Sequence, residues 1–155
     1  MASPTPNVKN YFSQPGSDND NTLNVTGTMS VSGTMESAAG ANLKTKLVTL
    51  PIGDVSTAGS VWVVPGIAGT VVKISNVIDA AITVADAGLT FEIGGTAITG
   101  SAITIATAAS AAGTVDQSTP SALNVITAAQ AIEVVKDGGS TTTSNGVVTF
   151  EILPS

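Results

Sequence analysis

Residues 23–35 run Leu-Asn-Val-Thr-Gly-Thr-Met-Ser-Val-Ser-Gly-Thr-Met, so every odd position is apolar or glycine and every even position is small and polar. Strict period-2 alternation of this kind is the mark of a strand with one face buried. A six-residue repeat lies on top of it, Val-Thr-Gly-Thr and then Val-Ser-Gly-Thr. A segment this short cannot bury its own apolar face, which implies that another chain covers it. Leu23, Val25, Met29, Val31 and Met35 are therefore candidate inter-subunit contacts.

The residues around this segment sort into a lead, an arm and a body. Residues 1–22 contain Pro4, Pro6 and Pro15 and a polar run from Gln14 to Thr22, the composition of an extended or disordered lead. Tyr11 and Phe12 are the exception, adjacent aromatics suited either to anchoring the lead on a partner or to packing on the chain's own body. Glu36 to Asn42 is an Ala/Gly/Ser stretch that reads as a hinge. The expected division is an extended N-terminal arm with a flexible lead at 1–44 and a β-sandwich domain at 45–155.

From Lys44 onward the pattern is short strands broken by turn residues, with no helical period sustained over three turns. Val48, Leu50 and Ile52 alternate in the first strand; Ser60 to Val64 is a second, ended by Pro65-Gly66. In the third, Val72 and Ile74 are expected on one face with Lys73 and Ser75 on the other, and Ala81 to Val84 is expected to be a fourth. Leu89, Phe91 and Ile93 mark the clearest strand, and Gly94-Gly95 then supplies a two-residue hairpin turn. Ile103 and Ile105 mark another. Ala106 to Gly113 is rich in small residues and leaves a short helix open. Leu123 and Val125 precede the last pair, Ile132/Val134 and Val148/Phe150/Ile152. About eight strands without intervening helices indicate an all-β antiparallel sandwich of jelly-roll type, with an immunoglobulin-like sandwich as the alternative. Trp62 is expected in the core ahead of an interface.

Composition narrows the function. Hydrophobic residues are 43 % of the chain but aromatics only 3 %, so the core must be aliphatic. Charged residues are 10 %, against roughly 25 % in ordinary soluble domains, which leaves a neutral surface of Thr, Ser, Asn, Gly and Ala. Net charge is −6, with no arginine, so nucleic acid is not an expected partner. Lys9, Lys44 and Lys46 balance Asp18, Asp20 and Glu36, so the whole −6 arises beyond residue 46, from Lys73 and Lys136 against eight acids. The N-terminus has neither a basic region nor an apolar run, so no signal peptide is expected. The most apolar stretch, Val61 to Val72, is interrupted by Pro65, Gly66 and Gly69, and no membrane partner is expected.

The catalytic inventory is nearly empty. Without His, Cys or Arg the chain lacks the commonest general base, the best nucleophile and the bidentate phosphate clamp. Gly94-Gly95-Thr96 to Gly100 has no following Lys and reads as a hairpin, not a phosphate loop. Glu92, Glu133 and Glu151 alternate with apolar neighbours, the usual place of solvated residues, and are not read as a glycosidase pair. Asp18-Asn19-Asp20-Asn21 has oxygen ligands but not the glycine and terminal glutamate of a calcium loop. Asn24-Val-Thr26 is a glycosylation sequon by pattern alone. The expectation is a non-enzyme without metal or cofactor.

Four segments carry a resemblance: Val64-Pro-Gly-Ile-Ala-Gly-Thr-Val-Val-Lys-Ile, Ala85-Asp-Ala-Gly-Leu-Thr-Phe-Glu-Ile-Gly-Gly, Ala111-Ala-Gly-Thr-Val and Ile132-Glu-Val-Val-Lys-Asp-Gly-Gly-Ser. In strand order and turn glycines, residues 45–153 resemble the small β-sandwich decoration, or cement, proteins of tailed bacteriophages. The arm is similar to segments of trimeric phage fibres, in which three chains share one core. Ala129-Gln130 stand where such domains often carry Gly-Asp. The resemblance implies a virion protein, made in the host cytoplasm and added as a homotrimer to the outer capsid surface, where it ties major capsid subunits together. Tyr11 and Phe12 then become candidate capsid contacts. A trimeric fibre or adhesin head that binds host glycan is the alternative, and would call for exposed Trp or Tyr.

Overall fold

The structure is a computed structural model that describes residues 45–155. Within them the chain forms ten strands: β1 (Lys46–Asp54), β2 (Gly59–Val63), β3 (Gly69–Ile78), β4 (Ala87–Ile93), β5 (Thr96–Ala97), β6 (Ile103–Ile105), β7 (Val115–Ser118), β8 (Val125–Ile126), β9 (Ile132–Lys136) and β10 (Asn145–Pro154). One 3₁₀ turn, Thr107–Ala109, is the helical content of the described residues and falls within the small-residue run Ala106 to Gly113. The expectations for the lead, the arm and its seven candidate contacts, Tyr11, Phe12, Leu23, Val25, Met29, Val31 and Met35, lie outside the described residues.

The strands form two antiparallel sheets. The first has the order β1-β10-β3-β7, with β8 also on β3; the second has the order β2-β9-β4-β5, with β6 also on β4. The chain changes sheet at six of its nine connections, so most neighbours within a sheet are distant in sequence. The inner faces are set by the alternation in the sequence. Leu89, Phe91 and Ile93 of β4 are buried, as are Val148, Phe150 and Ile152 of β10, while the residues between them are not. Phe91 and Phe150 come from different sheets and meet edge to face, with centroids 5.8 Å apart and planes at 89°. Around this pair, Ile52, Ile74, Ile78, Ile105, Ile132 and Val134 complete one aliphatic core. Gly94 and Gly95, with φ of 59° and 78°, make the tight turn from β4 into β5, with Ile93 opposite Thr96. Positive φ at both central residues is what such a turn requires.

Three expectations are corrected and one omission is filled. Val72 does not share a face with Ile74: Glu151 pairs with Lys73 but Ile152 pairs with Val71, so Val72 is the extra residue of a bulge and Val71 takes the inward place. Ala81 to Val84 is not a strand. Ser110 accepts from the Ile82 N–H at 3.0 Å and donates to the Ile82 carbonyl at 3.2 Å, using the groups a ladder would need, and Val84 has φ 77°. β7 was not foreseen, because Val-Asp-Gln-Ser carries no apolar alternation. Trp62 is not in the core. Val61 and Val63 pack against the core, so Trp62 between them points outward and is 58 % exposed.

Candidate interaction surface

The registers place Asp54 opposite Asn145, Ile78 opposite Gly146, and Lys136 between Gly59 and Leu89, and so define one end of the two sheets. All five aspartates of the described residues lie at this end: Asp54, Asp79, Asp86, Asp116 and Asp137. Four of them close loops. Asp54 accepts from the Ser56 hydroxyl at 2.7 Å, the Ser56 N–H at 2.9 Å, the Ser144 N–H at 3.1 Å and the Thr57 hydroxyl at 3.3 Å. The Ser56 hydrogen bonds contribute most to lowering its pKa to about 2. The amide side chain and N–H of Asn145 lower Asp79 in the same way, and the N–H and hydroxyl of Thr107 lower Asp86. Asp137 accepts the Gly139 N–H at 2.9 Å, a local turn in which Gly138 takes φ 69°.

Lys136 is the cation of this end, and it is buried. It continues the inward phase of Ile132 and Val134, and its ammonium donates to the carbonyls of Ile52 at 2.8 Å and Asp54 at 2.9 Å. These bonds tie β9 of the second sheet to the end of β1 in the first. Asn76 and Asp116 lie opposite each other on β3 and β7. Asn76 is 1 % exposed, and neither its side-chain oxygen nor its nitrogen has a partner; the same holds for Asp116 Oδ2. Burial pushes the Asp116 carboxyl above its ordinary pKa. Sequence reasoning missed Lys136 and Asn76. The signal was present, since both continue an apolar alternation, Ile132/Val134/Lys136 and Ile74/Asn76/Ile78.

The opposite end is different in kind. It comprises the start of β1, residues 64–68 between β2 and β3, the Gly94–Gly95 turn, and residues 127–131 before β9. These segments contain no acid, and Lys46 is their one charge. Gln130 closes its own turn: the Thr127 N–H donates to its side-chain oxygen at 2.8 Å, and the Gln130 N–H donates to the Thr127 carbonyl at 3.1 Å. Val64 is 58 % exposed here. The described chain begins here, at Thr45 and β1.

The outer faces also differ. On the first sheet, Pro51, Val147, Val77 and Val115 form one cross-strand row and Thr49, Thr149, Ser75 and Gln117 the next. Its charges are a matched pair, Lys73 opposite Glu151. On the second sheet Trp62 lies opposite Glu133, which lies opposite Glu92. Like charges directly opposite repel. The three glutamates expected to face outward do so, each only partly buried and on an outer face.

Among the described residues no group of three or more His, Cys, Asp or Glu is placed to hold a metal, and no helix is long and apolar enough to cross a membrane. Comparison with family models, with curated proteins and with solved structures finds no match for this chain.

Proposed function

We propose that this chain is a virion structural protein that decorates and stabilises the outer surface of a bacteriophage capsid. In this reading the body is a jelly roll, and three copies associate through the N-terminal arm and bind the major capsid protein. The strand orders β1-β10-β3-β7 and β2-β9-β4-β5, with β6 on β4, support the jelly roll over an immunoglobulin-like sandwich. The observation that carries the function is the contrast between the two ends. The aspartates, with most of the body's side-chain hydrogen bonds, gather at one end; at the end where β1 begins the loops 64–68 and 127–131 carry no acid and are rich in Val, Pro, Gly, Ile and Ala, while Glu92, Glu133 and Glu151 stand on the outer sheet faces one register position inside it. The first end is suited to face solvent and the second to lie on protein.

Such a protein acts by mass action. It binds the assembled shell and not the dissociated subunits, so at a free concentration 100-fold above Kd each site stabilises the shell by about 2.7 kcal/mol. No catalytic step is assigned, and neither nucleic acid nor membrane is a partner. The protein is made in the host cytoplasm and resides on the outer capsid. Co-sedimentation with undecorated heads tests this: the full chain should pellet with heads, and the double change Tyr11→Ala and Phe12→Ala should weaken pelleting. A chain that stays in the supernatant with heads of every tailed phage infecting its host would end the proposal.

Exposed Trp62 favours one second reading, a trimeric fibre or adhesin head that binds host glycan. A sugar ring could stack on the indole while Glu133 accepts hydroxyl hydrogen bonds. Loss of cell adhesion in Trp62→Ala, with head binding absent in both forms, would select it.

A further inference from the structure

The two long edge strands near the chain entry are unequal. β1 ends the first sheet and β2 ends the second. Open edges are templates for another strand, and proteins blunt them with lysine, proline or bulges. β1 has all three: Lys46 at its start, Pro51 without an N–H, and a register shift between Pro51 and Gly53. β2, Gly-Ser-Val-Trp-Val, has none, and among the described strands it pairs only with β9. Its outward Trp62 and the following Val64 are each 58 % exposed, while Val61 and Val63 are only partly buried against the core.

We propose that residues 23–35 of a second copy add as a strand to the open edge of β2. This rests on the trimer reading and names the surface that the arm occupies on its partner. The alternation fits the edge. Val25, Met29 and Val31 share one phase and would cover the flanks of Val61 and Val63, and the opposite phase, Thr28, Ser30 and Ser32, would continue the outer face of Ser60 and Trp62. That outer face already holds Glu133 and Glu92, and the arm brings no charge to repel them. The nine residues between Met35 and Thr45 span at most about 30 Å when extended, which bounds how far apart the two paired copies stand.

The chain has no cysteine, so engineered thiols report without background. Full-length chains carrying Ser60→Cys are mixed with tagged full-length chains carrying one cysteine at Thr28, Met29, Ser30, Val31 or Ser32. Disulfide-linked pairs of unequal size should form with Thr28→Cys, Ser30→Cys or Ser32→Cys and only weakly with Met29→Cys or Val31→Cys. Trp62, the only tryptophan, should lose part of its quencher accessibility on assembly, as an added strand covers one flank of the indole, and Val25→Asp with Val31→Asp should restore it. Trimers that form with Trp62 fully accessible, or with cross-links that ignore the two-residue period, overturn the proposal and leave the trimer standing. A chain carrying both Ser60→Cys and Ser30→Cys that links within itself at high dilution, while the mixed single-cysteine chains do not link, overturns it in favour of the chain's own arm. A chain that sediments as a monomer at every concentration takes down the trimer reading and this inference together.

Discussion

The two ends of the body are built by different means. At the aspartate end, loops distant in sequence are held by side chains. Asp54 reaches Ser144, Asp79 reaches Asn145, and Lys136 crosses from β9 to the last carbonyls of β1. At the arm end, the turns at Gly94-Gly95 and Gln130 close on themselves, and one side chain, Asn124, reaches across to the Val71 carbonyl at 2.8 Å. A side chain engaged in loop closure is not free to meet a partner. The contrast therefore suggests a division of labour, with stability fixed at one end and surface left open at the other.

The largest effect should erase this contrast. Phe150 meets Phe91 midway between the ends, so Phe150→Ala should cost roughly 3–5 kcal/mol, as large-to-small core changes do, and lower amide protection at both ends together. Its neighbour Glu151 faces outward, and Glu151→Ala should change stability by no more than about 0.5 kcal/mol. Similar losses of melting temperature in the two variants would mean that the facing of β10 is wrong.

The next effect separates the ends. Lys136→Met keeps the length of the side chain but leaves the carbonyls of Ile52 and Asp54 without their donor, a loss of roughly 1.5–3 kcal/mol. Hydrogen exchange should rise around residues 52–58 and 136–145 more than around 64–68. A uniform rise would mean that the body unfolds only as a whole.

How much of this the sequence announced depends on what holds each part. The inner faces of β4 and β10 were legible because Leu89/Phe91/Ile93 and Val148/Phe150/Ile152 are set by a local period of two, and the β4–β5 turn because Gly94-Gly95 suits positive φ. Trp62 faces outward because Val61 and Val63 take the inward phase of β2, so its position outranks its aromatic character. The Val72 bulge and the irregular path of Ala81 to Val84 depend on β10 and on Ser110, partners that no local window contains. The aspartate clamps were invisible for the same reason, since Ser144 lies 90 residues from Asp54. The arm, for which the seven contact residues were named, lies outside the described residues.

Acid should sharpen the contrast further. Asp54, Asp79 and Asp86 have pKa values below the unfolded value because hydrogen bonds favour their carboxylates. A lowered carboxylate stabilises the fold above its unfolded pKa, and that contribution is lost as pH falls from the ordinary aspartate value of 3.8 toward about 2 for Asp54. Asp116 acts in the opposite sense: its raised pKa penalises the folded state at neutral pH, and protonation relieves the penalty. Three groups oppose one, so melting temperature should fall between about pH 4 and pH 2. Asp54→Asn should flatten that fall, whereas Asp116→Asn should raise stability at pH 7 and steepen it. An unchanged acid profile in Asp54→Asn would show that the Ser56 and Ser144 hydrogen bonds do not favour the charged form.

The smallest stability effect should accompany the largest effect on binding. Val64 is exposed at the arm end and closes no loop, so Val64→Asp should shift stability by no more than about 0.5 kcal/mol. It adds a charge where residues 64–68 and 127–131 have none, on the end proposed to lie against other chains. A matching charge at the aspartate end, Ala112→Asp, also falls on an exposed residue. If the ends divide labour as proposed, Val64→Asp should weaken co-sedimentation with undecorated heads or break trimers, and Ala112→Asp should do neither. Equal tolerance of the two charges would mean that the arm alone makes every contact and that the loops 64–68 and 127–131 have no partner. Greater sensitivity at Ala112 would reverse the orientation, placing the aspartate loops on the shell and the arm end in solvent.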